Sequence, residues 1–251
     1  PLQPSSIPSP AEIDASLDEA RAALTRIYGY PSFRPGQEEV LRAIFAGEDV
    51  LAVMPTGSGK SLCYQLPPVV RQGLTVVVSP LIALMHDQVQ QLRAYGIPAG
   101  ALNSGNTPGE NLATERAIAQ GRLRLVYVAP ERFALPGLVE LFRDGGANLL
   151  AIDEAHCISQ WGHDFRPEYL GLREIRQMLG NIQTVAVTAT ADAPTRDEII
   201  GKLFDAPPRV FVRSFDRPNL RLAMQRKSNA GRQIAAFVDA HRGECGIVYC
   251  N

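Results

Sequence analysis

The amino-acid sequence predicts an α/β fold in which a parallel β-sheet carries helices on both faces. Short apolar runs rich in Val, Leu and Ile alternate with longer segments of helical periodicity, and this alternation requires crossover connections between parallel strands. The 251 residues are 45% hydrophobic, enough for one large core or two modest ones. Ligands are expected at the carboxyl ends of the strands. We predict strands at residues 49–54, 75–79, 123–128, 149–153, 184–188 and 210–212.

The domain organisation follows from breaks in this alternation. Residues 1–10 contain four prolines and three serines without periodicity, which predicts a flexible tail or linker. A helix is predicted from Ala11 to Tyr28, where apolar residues recur at helical spacing, and it opens a first domain at residues 11–214. The segment SFDRPN interrupts the pattern, so residues 215–251 are predicted to be a linker and the start of a second, incomplete α/β domain. Within it we predict two elements, a helix at 231–240 and a strand at 246–249.

Composition excludes several classes of protein. No apolar run approaches the roughly 18 residues that a membrane span needs, and the N-terminus lacks the basic and apolar regions of a signal peptide, which predicts an intracellular location, cytoplasmic or nuclear. The four cysteines form no C-x-x-C pair, so a zinc module or a disulfide framework is not expected. The formal net charge of -1 gives no sign of a polyanion partner, and any nucleic-acid site must therefore be local.

A glycine-rich loop with the sequence MPTGSGKS follows the first apolar strand and precedes the helical segment SLCYQL. Gly57 and Gly59 allow backbone N–H groups to approach phosphate oxygens, and the following helix contributes its positive end. Lys60 is expected to neutralise β- and γ-phosphates, and Ser61 to place its hydroxyl on magnesium. Methionine stands where the general pattern has its first glycine, and the competing interpretation is a turn with a surface lysine.

Two adjacent carboxylates, Asp153 and Glu154, end the buried strand of LLAIDEAHC. Burying both without a partner is costly, so we expect them to meet a cation at the strand end. Asp153 is predicted to hold magnesium, mostly through water, and Glu154 to polarise the attacking water. His156 is then a coupling residue. The alternative for this segment alone is a solvated acidic turn.

With the segment DEAHCISQWGHDFRPEY from Asp153 to Tyr169, the chain resembles the catalytic core of RecQ-type DNA helicases, a branch of helicase superfamily 2, from about Leu24 to Asn251. The resemblance implies a RecA-like sheet of the P-loop NTPase type and the beginning of a second lobe. It also implies ATP-dependent 3′ to 5′ DNA unwinding, coupled to translocation on single-stranded DNA, in repair and recombination. The implied cofactors are ATP and Mg²⁺.

The resemblance assigns roles to the site residues. YGYPSFRPGQ matches the family's adenine motif, in which Gln37 would read the adenine edge through its amide while Arg34 packs near the base. The implied catalytic residues are Lys60, Asp153, Glu154 and His156. The implied nucleotide-binding residues are Arg34, Gln37, Thr56, Gly57, Ser58, Gly59, Lys60 and Ser61, and the magnesium ligands are Ser61 and Asp153.

Further segments resemble the family's DNA-contacting motifs, and the implied partners are single-stranded DNA and duplex junctions. VVVSPLIALMHDQV and YVAPERF resemble segments that hold phosphates, through Ser79 and the backbone around Leu81. ISQWGHDFRPEY resembles an aromatic-rich loop that couples strand binding to hydrolysis, and the alternative for Trp161 is packing in a core. VTATA resembles a relay between the two lobes. The implied DNA-binding or coupling residues are Ser79, Gln160, Trp161, His163, Phe165, Arg166, Thr188 and Thr190.

Two other function classes stay open from the sequence. The motif that supplies the family's arginine finger is absent from these 251 residues, so a nucleotide- or DNA-binding module without hydrolysis is the alternative to a helicase motor. A P-loop kinase would need a small-substrate acceptor site, and it has no use for Gln37 or for the aromatic-rich loop.

Overall fold

The computed structural model describes residues 8–160, 164–213, 220–221 and 223–249, and the chain forms two compact units, residues 1–215 and 216–251. The predictions for Trp161 and His163, for the boundary segment at 214–219 and for the first seven residues of the tail lie outside the described residues.

The larger unit is built on a parallel sheet, as the sequence predicts. Within the described residues its strands are β1 (Val50–Val53), β2 (Leu74–Val78), β3 (Ala99–Leu102), β4 (Leu125–Val128), β5 (Ala147–Ile152), β6 (Gln183–Thr188) and β7 (Arg209–Val212). They lie in the order β3-β4-β2-β5-β6-β1-β7, and all recorded pairings are parallel. The predicted fold class is confirmed.

Strand β3 is the element that the sequence prediction missed. Its sequence, AGAL, has no β-branched or aromatic residue, so neither propensity nor alternation marks it. Tertiary packing determines the strand instead, because all four residues are buried and pair with β4. A Cβ atom on Gly100 would lie 2.8 Å from Cγ2 of Thr114, so the glycine permits the neighbouring helix to approach.

Helices cover both faces of this sheet. Their bounds are α1 (Pro10–Tyr28), α2 (Gln37–Phe45), α3 (Leu62–Gln65), α4 (Pro67–Val70), α5 (Ile82–Ala94), α6 (Pro108–Ala119), α7 (Leu138–Asp144), α8 (Leu172–Met178) and α9 (Ala193–Leu203), with 3₁₀ segments at Pro130–Ala134, Ala155–Ile158 and Pro167–Gly171. Successive residues of the central strands alternate between two buried apolar clusters, one on each face. None of the helices in the described ranges is long and apolar enough to cross a membrane.

Helix α1 begins one residue earlier than the periodicity predicts. Ser9 is its N-cap: the Ser9 hydroxyl accepts from the Glu12 N–H at 3.4 Å, and the Glu12 carboxylate accepts from the Ser9 N–H at 2.7 Å. Because of this reciprocal capping box, the helix begins at Pro10, and the last two residues of the predicted tail belong to the helix and its cap. Gly29 ends the helix with a φ of 72°.

The smaller unit contains α10 (Ala230–Ala240), which confirms the predicted helix. The strand predicted at 246–249 is wrong, because these residues have no strand structure. Ile247 is 79% exposed and Tyr249 is 89% exposed. A strand needs a neighbour for its backbone hydrogen bonds, and the described part of this unit contains no other strand.

A charged network ties β1 to β6 at the ends of these strands that lie opposite the glycine-rich loop. Asp49 accepts from the Arg176 guanidinium at 2.6 Å and from the Thr184 N–H at 2.7 Å. Arg176 is only 6% exposed, and its other guanidinium nitrogen reaches Asp205 at 3.2 Å. Strands β1 and β6, which each lead into a site segment, are therefore anchored by one buried guanidinium.

We expect Asp49→Ala to lower the free energy of unfolding by about 3 kcal/mol, because it leaves a buried guanidinium short of a partner and a buried N–H unsatisfied. Urea denaturation of the chain measures the change. Asp18→Ala is the control, since it removes an exposed ion pair to Arg21 and should leave stability nearly unchanged. Equal losses in the two variants would contradict the anchoring role of Asp49.

Candidate functional site

The predicted site residues from three segments meet in one cleft at the carboxyl ends of the central strands. The cleft encloses about 280 Å³, and its lining includes the loop after β1, the end of β2 and the acidic pair after β5. Among its lining residues are Lys60, Ser61, Tyr64, Ser79, Asp153 and Glu154.

The loop after β1 is shaped by two glycines in the left-handed region. Gly57 has a φ of 83° and Gly59 a φ of 81°, a conformation in which other residues are strained. Met54 is fully buried, and its N–H donates to the Thr188 carbonyl at 3.0 Å. This position therefore belongs to the core, which explains why methionine is accepted where the general pattern has glycine.

The helix predicted after this loop is shorter than SLCYQL implies. Helix α3 has four residues, because Pro67 and Pro68 lack the N–H groups that would continue its hydrogen bonding. A single turn contributes little macrodipole. Anion binding at this loop must therefore depend on local N–H groups and on Lys60.

Gln37 and Arg34 hold the loop from outside. The Gln37 amide nitrogen donates to the carbonyls of Gly59 at 3.0 Å and Ser58 at 3.3 Å, while its oxygen accepts from the Arg34 N–H at 2.8 Å. The Arg34 guanidinium donates to the Gly57 carbonyl. Gln37 is 1% exposed, so in this conformation its amide is used on the protein backbone.

A second, smaller cavity lies beside the loop. It encloses about 150 Å³ and is lined by Tyr28, Tyr30, Arg34, Gln65, Gln91 and Tyr95, among others. Arg34 lines it, whereas Gln37 is not among its lining residues, and the predicted contact of Arg34 with a base stays a prediction. Tyr30, which the sequence analysis did not single out, is 42% exposed there.

The two adjacent carboxylates occupy different environments. Burial, together with the neighbouring Glu154 charge, raises the pKa of Asp153 to about 6. The hydrogen bond to His156 holds the pKa of Glu154 below its usual value. Glu154 has a φ of 47°, an uncommon conformation for a residue other than glycine, and this turn separates the two side chains.

His156 connects the acidic pair to the end of β6. Its Nδ1 lies 3.3 Å from the Glu154 carboxylate and 2.9 Å from the Thr188 hydroxyl. The Thr188 hydroxyl itself donates to the Thr190 carbonyl at 3.1 Å, and a carboxylate only accepts, so this arrangement requires the proton on Nδ1. The predicted coupling residue and one predicted relay residue are thus in direct contact, while Thr190 is exposed.

The residues on both sides of 161–163 are anchored. Glu198 of α9 accepts from the Ser159 hydroxyl at 2.5 Å and from the Gln160 N–H at 3.1 Å. On the other side the Arg166 guanidinium donates to the Pro80 carbonyl at 3.0 Å, and the Tyr169 hydroxyl donates to the Asp153 carbonyl at 3.0 Å. Of the predicted coupling residues, Gln160 is exposed, and Phe165 and Arg166 are half-buried.

Ser79, predicted to hold a DNA phosphate, lies in the cleft. It is 3% exposed and lines the same cleft as Lys60 and Asp153. Its contact with DNA stays a prediction. Leu81, next to the predicted phosphate-holding backbone, is 39% exposed.

The donor set of the cleft fits a divalent cation with a phosphate. Two adjacent carboxylates, one buried with a raised pKa, are stabilised by a nearby cation, and the Ser61 hydroxyl is an oxygen ligand of the kind magnesium prefers. The buried hydroxyl of Ser58, in the same loop, has no hydrogen-bond partner among the described residues, but Ser58 does not line the cleft.

The sequence analysis gave no role to Tyr64, Tyr169 or Glu198. Tyr64 and Tyr169 are buried residues whose hydroxyls reach Asp153, and Glu198 lies on a helix that the motifs do not include. Tyr169 ends the quoted motif that Asp153 begins, whereas no local pattern marks Tyr64 or Glu198, since their contacts join residues far apart in the sequence.

Comparison with known proteins places the chain among helicases. The family model described as DEAD/DEAH box helicase matches residues 34–199. The ATP-dependent DNA helicase RecQ of Pasteurella multocida (strain Pm70) is 47% identical over 228 residues, covering 91% of this chain and 36% of that protein. RecQ of Bacillus subtilis (strain 168) is 38% identical over 235 residues, covering 93% and 40%. The chain thus spans little more than a third of the length of these curated relatives, and the predicted resemblance to RecQ-type helicases is confirmed.

Solved structures are similar in fold. The Pyrococcus furiosus Hef helicase domain matches with a TM-score of 0.56 at 22% identity, covering 74% of this chain and 39% of that one. The Mycobacterium smegmatis helicase Lhr, solved with single-stranded DNA and AMP-PNP, matches with a TM-score of 0.59 at 21% identity, covering 80% and 28%. At these identities the likeness shows the shared arrangement of sheet and helices.

We expect Gly59→Ala to weaken nucleotide binding at least tenfold, because a methyl group would crowd the loop whose N–H groups must approach phosphate oxygens. In the structure its Cβ atom would lie 2.5 Å from the Gln37 amide nitrogen. The chain would also lose about 1 kcal/mol of stability from the left-handed backbone. Gly47→Ala is the matched control: it has the same φ of 81° but nothing within 4 Å of its Cβ position. Titration with a fluorescent nucleotide should show unchanged affinity for the control, and equal weakening in both variants would assign the effect to backbone strain.

Proposed function

Because the chain belongs to the DEAD/DEAH box helicase family, whose model matches residues 34–199, we propose that it is the nucleotide-binding motor domain of a RecQ-type ATP-dependent DNA helicase. The observation that carries the proposal is the cleft in which the phosphate loop and the acidic pair meet. Residues 11–214 would form the first lobe and residues 215–251 the beginning of a second, a division supported by the two compact units.

Each residue of the cleft receives a role from its chemistry. Lys60 neutralises the β- and γ-phosphates, and the N–H groups around Gly57 and Gly59 bind phosphate oxygens. Ser61 and Asp153 hold Mg²⁺, which when bound offsets the negative charge of the triphosphate. Thr56 and Ser58 complete the phosphate-binding loop.

In the proposed hydrolysis of ATP, Glu154 is the base that activates the attacking water or the residue that positions it. Its carboxylate is held by the Nδ1–H of His156, which fixes its orientation toward the water, and its lowered pKa favours positioning of the water over strong basicity. His156 acts as a positioning residue through this bond. Its second partner, Thr188, ties the position of the base to the end of β6.

The adenine base is proposed to lie in the cavity beside the loop, against Tyr30 and Arg34. The amide of Gln37 offers both a donor and an acceptor, which suits N6 and N7 of adenine. To bind the base, this amide must break its hydrogen bonds to the carbonyls of Ser58 and Gly59. Binding of the base would therefore change the contacts that hold the phosphate loop.

The proposed partner is DNA, as single strands and duplex junctions, and the RecQ relatives support it by name. The backbone around Leu81 would hold phosphates, while Trp161, His163, Phe165 and Arg166 would contact bases. Stacking on aromatic rings contributes about 1–3 kcal/mol per base and tolerates any sequence. Gln160, Thr188 and Thr190 would transmit the position of the strand.

We expect Lys60→Ala in the full-length protein that contains this chain to reduce ATP hydrolysis stimulated by single-stranded DNA at least a hundredfold, since one phosphate-neutralising charge is lost. Phosphate release with and without DNA measures this. Lys227→Ala removes an exposed lysine of the smaller unit and should behave as wild type. Absence of DNA-stimulated hydrolysis in the wild type, or full activity of Lys60→Ala, would refute the proposed function.

We expect Trp161→Ala to abolish the stimulation by DNA while leaving nucleotide affinity within twofold of wild type, because base stacking is lost and the cleft is unchanged. Fluorescent nucleotide titration and phosphate release, run on the same preparation, separate the two properties. A parallel loss of nucleotide binding would instead indicate that Trp161 packs in the core.

A further inference from the structure

We propose that Tyr64 is a positioning residue that holds the Asp153 carboxylate in the arrangement that binds Mg²⁺. The inference rests on the proposed nucleotide site and adds a residue to it. Tyr64 lies on α3, three positions after Ser61 and 89 positions before Asp153, and is fully buried.

The Tyr64 hydroxyl reaches one of the two expected magnesium ligands. It donates to Oδ2 of Asp153 at 3.4 Å, and Tyr64 follows the other expected ligand, Ser61, by one turn of backbone. The ring lines the same cleft as Lys60 and Glu154. Tyr64 is thus the described side chain that connects the phosphate loop directly to the acidic strand end.

The two oxygens of Asp153 have separate donors. Oδ1 accepts from the Glu154 N–H at 3.0 Å, and Oδ2 accepts from Tyr64. Rotation of an aspartate carboxylate about its last torsion is otherwise broad, so two donors on two oxygens fix its plane. Without the phenol, the carboxylate would keep only the backbone bond and could turn away from the cation.

The position of the Tyr64 ring is itself fixed by its neighbours. It packs edge-on against Tyr127, with centroids 6.4 Å apart and an interplanar angle of 76°. The Tyr127 hydroxyl accepts from the Gln65 amide at 3.0 Å, and that amide also donates to Gln88 of α5 at 2.7 Å. This buried polar network makes the phenol a rigid support for the carboxylate.

The test compares Tyr64→Phe with wild type by the dependence of nucleotide affinity on Mg²⁺. The chain is titrated with a fluorescent ADP analogue at increasing Mg²⁺, and again in EDTA. Tyr64→Phe should raise the half-saturating Mg²⁺ concentration about three- to tenfold, the effect of losing one hydrogen bond of ordinary strength, with affinity in EDTA unchanged. An unchanged Mg²⁺ dependence overturns the inference.

Tyr127→Phe is the comparison variant, since it removes a buried phenol from the same network without a hydrogen bond to Asp153 in the structure. It should shift the Mg²⁺ dependence less than Tyr64→Phe does, and an equal shift in the two variants would mean that core packing causes both and would overturn the inference. In an Asp153→Asn background, Tyr64→Phe should have no further effect. If wild type shows no tightening by Mg²⁺, the proposed nucleotide site fails, a result distinct from failure of the Tyr64 inference.

Discussion

The parallel pairing of the central strands is the constraint on which the site depends. In the register Val53 pairs with Thr188, and Val78 pairs with Ile152, so the segments that follow β1, β2, β5 and β6 leave the sheet at one edge. The bond from Met54 N–H to the Thr188 carbonyl extends that register to the first residue of the glycine-rich loop. A slip of one residue would turn every side chain of a strand to the opposite face and separate these segments.

The position at the edge of the sheet also explains how the fold accommodates two adjacent carboxylates, whose burial side by side is costly. Asp153 continues the line of β5 into the buried cleft, where its pKa rises to about 6 because of burial and the Glu154 charge. Glu154 turns through a left-handed conformation to His156, which lowers its pKa. The two neighbouring carboxylates thereby differ in their affinity for protons, because one is buried and the other is hydrogen-bonded to His156.

Local signals made much of this predictable from the sequence. Strand-loop-helix order predicted the phosphate loop, and a buried run ending in two acids predicted the other half of the cleft. Signals of the same kind missed AGAL, which is a strand only because β4 and α6 enclose it, and they predicted a strand at 246–249 where no partner lies in the described residues. Tyr64 and Glu198 were beyond their reach, because the partners lie 89 and 39 positions away and meet only through the order of the strands.

The segment that carries the aromatic residues shares its supports with the nucleotide cleft. Tyr169 bonds the backbone of Asp153, Arg166 bonds the carbonyl that follows β2, and Glu198 holds Ser159 from the helix that follows Thr188. Each of these three contacts involves a residue that follows β2, β5 or β6, and the carboxyl ends of these strands line the cleft or contact His156. If a strand binds the segment as proposed, its effect on these shared contacts reaches the groups that orient Asp153 and Glu154. Thermodynamic linkage then requires that strand binding and nucleotide binding change each other's affinity by the same factor.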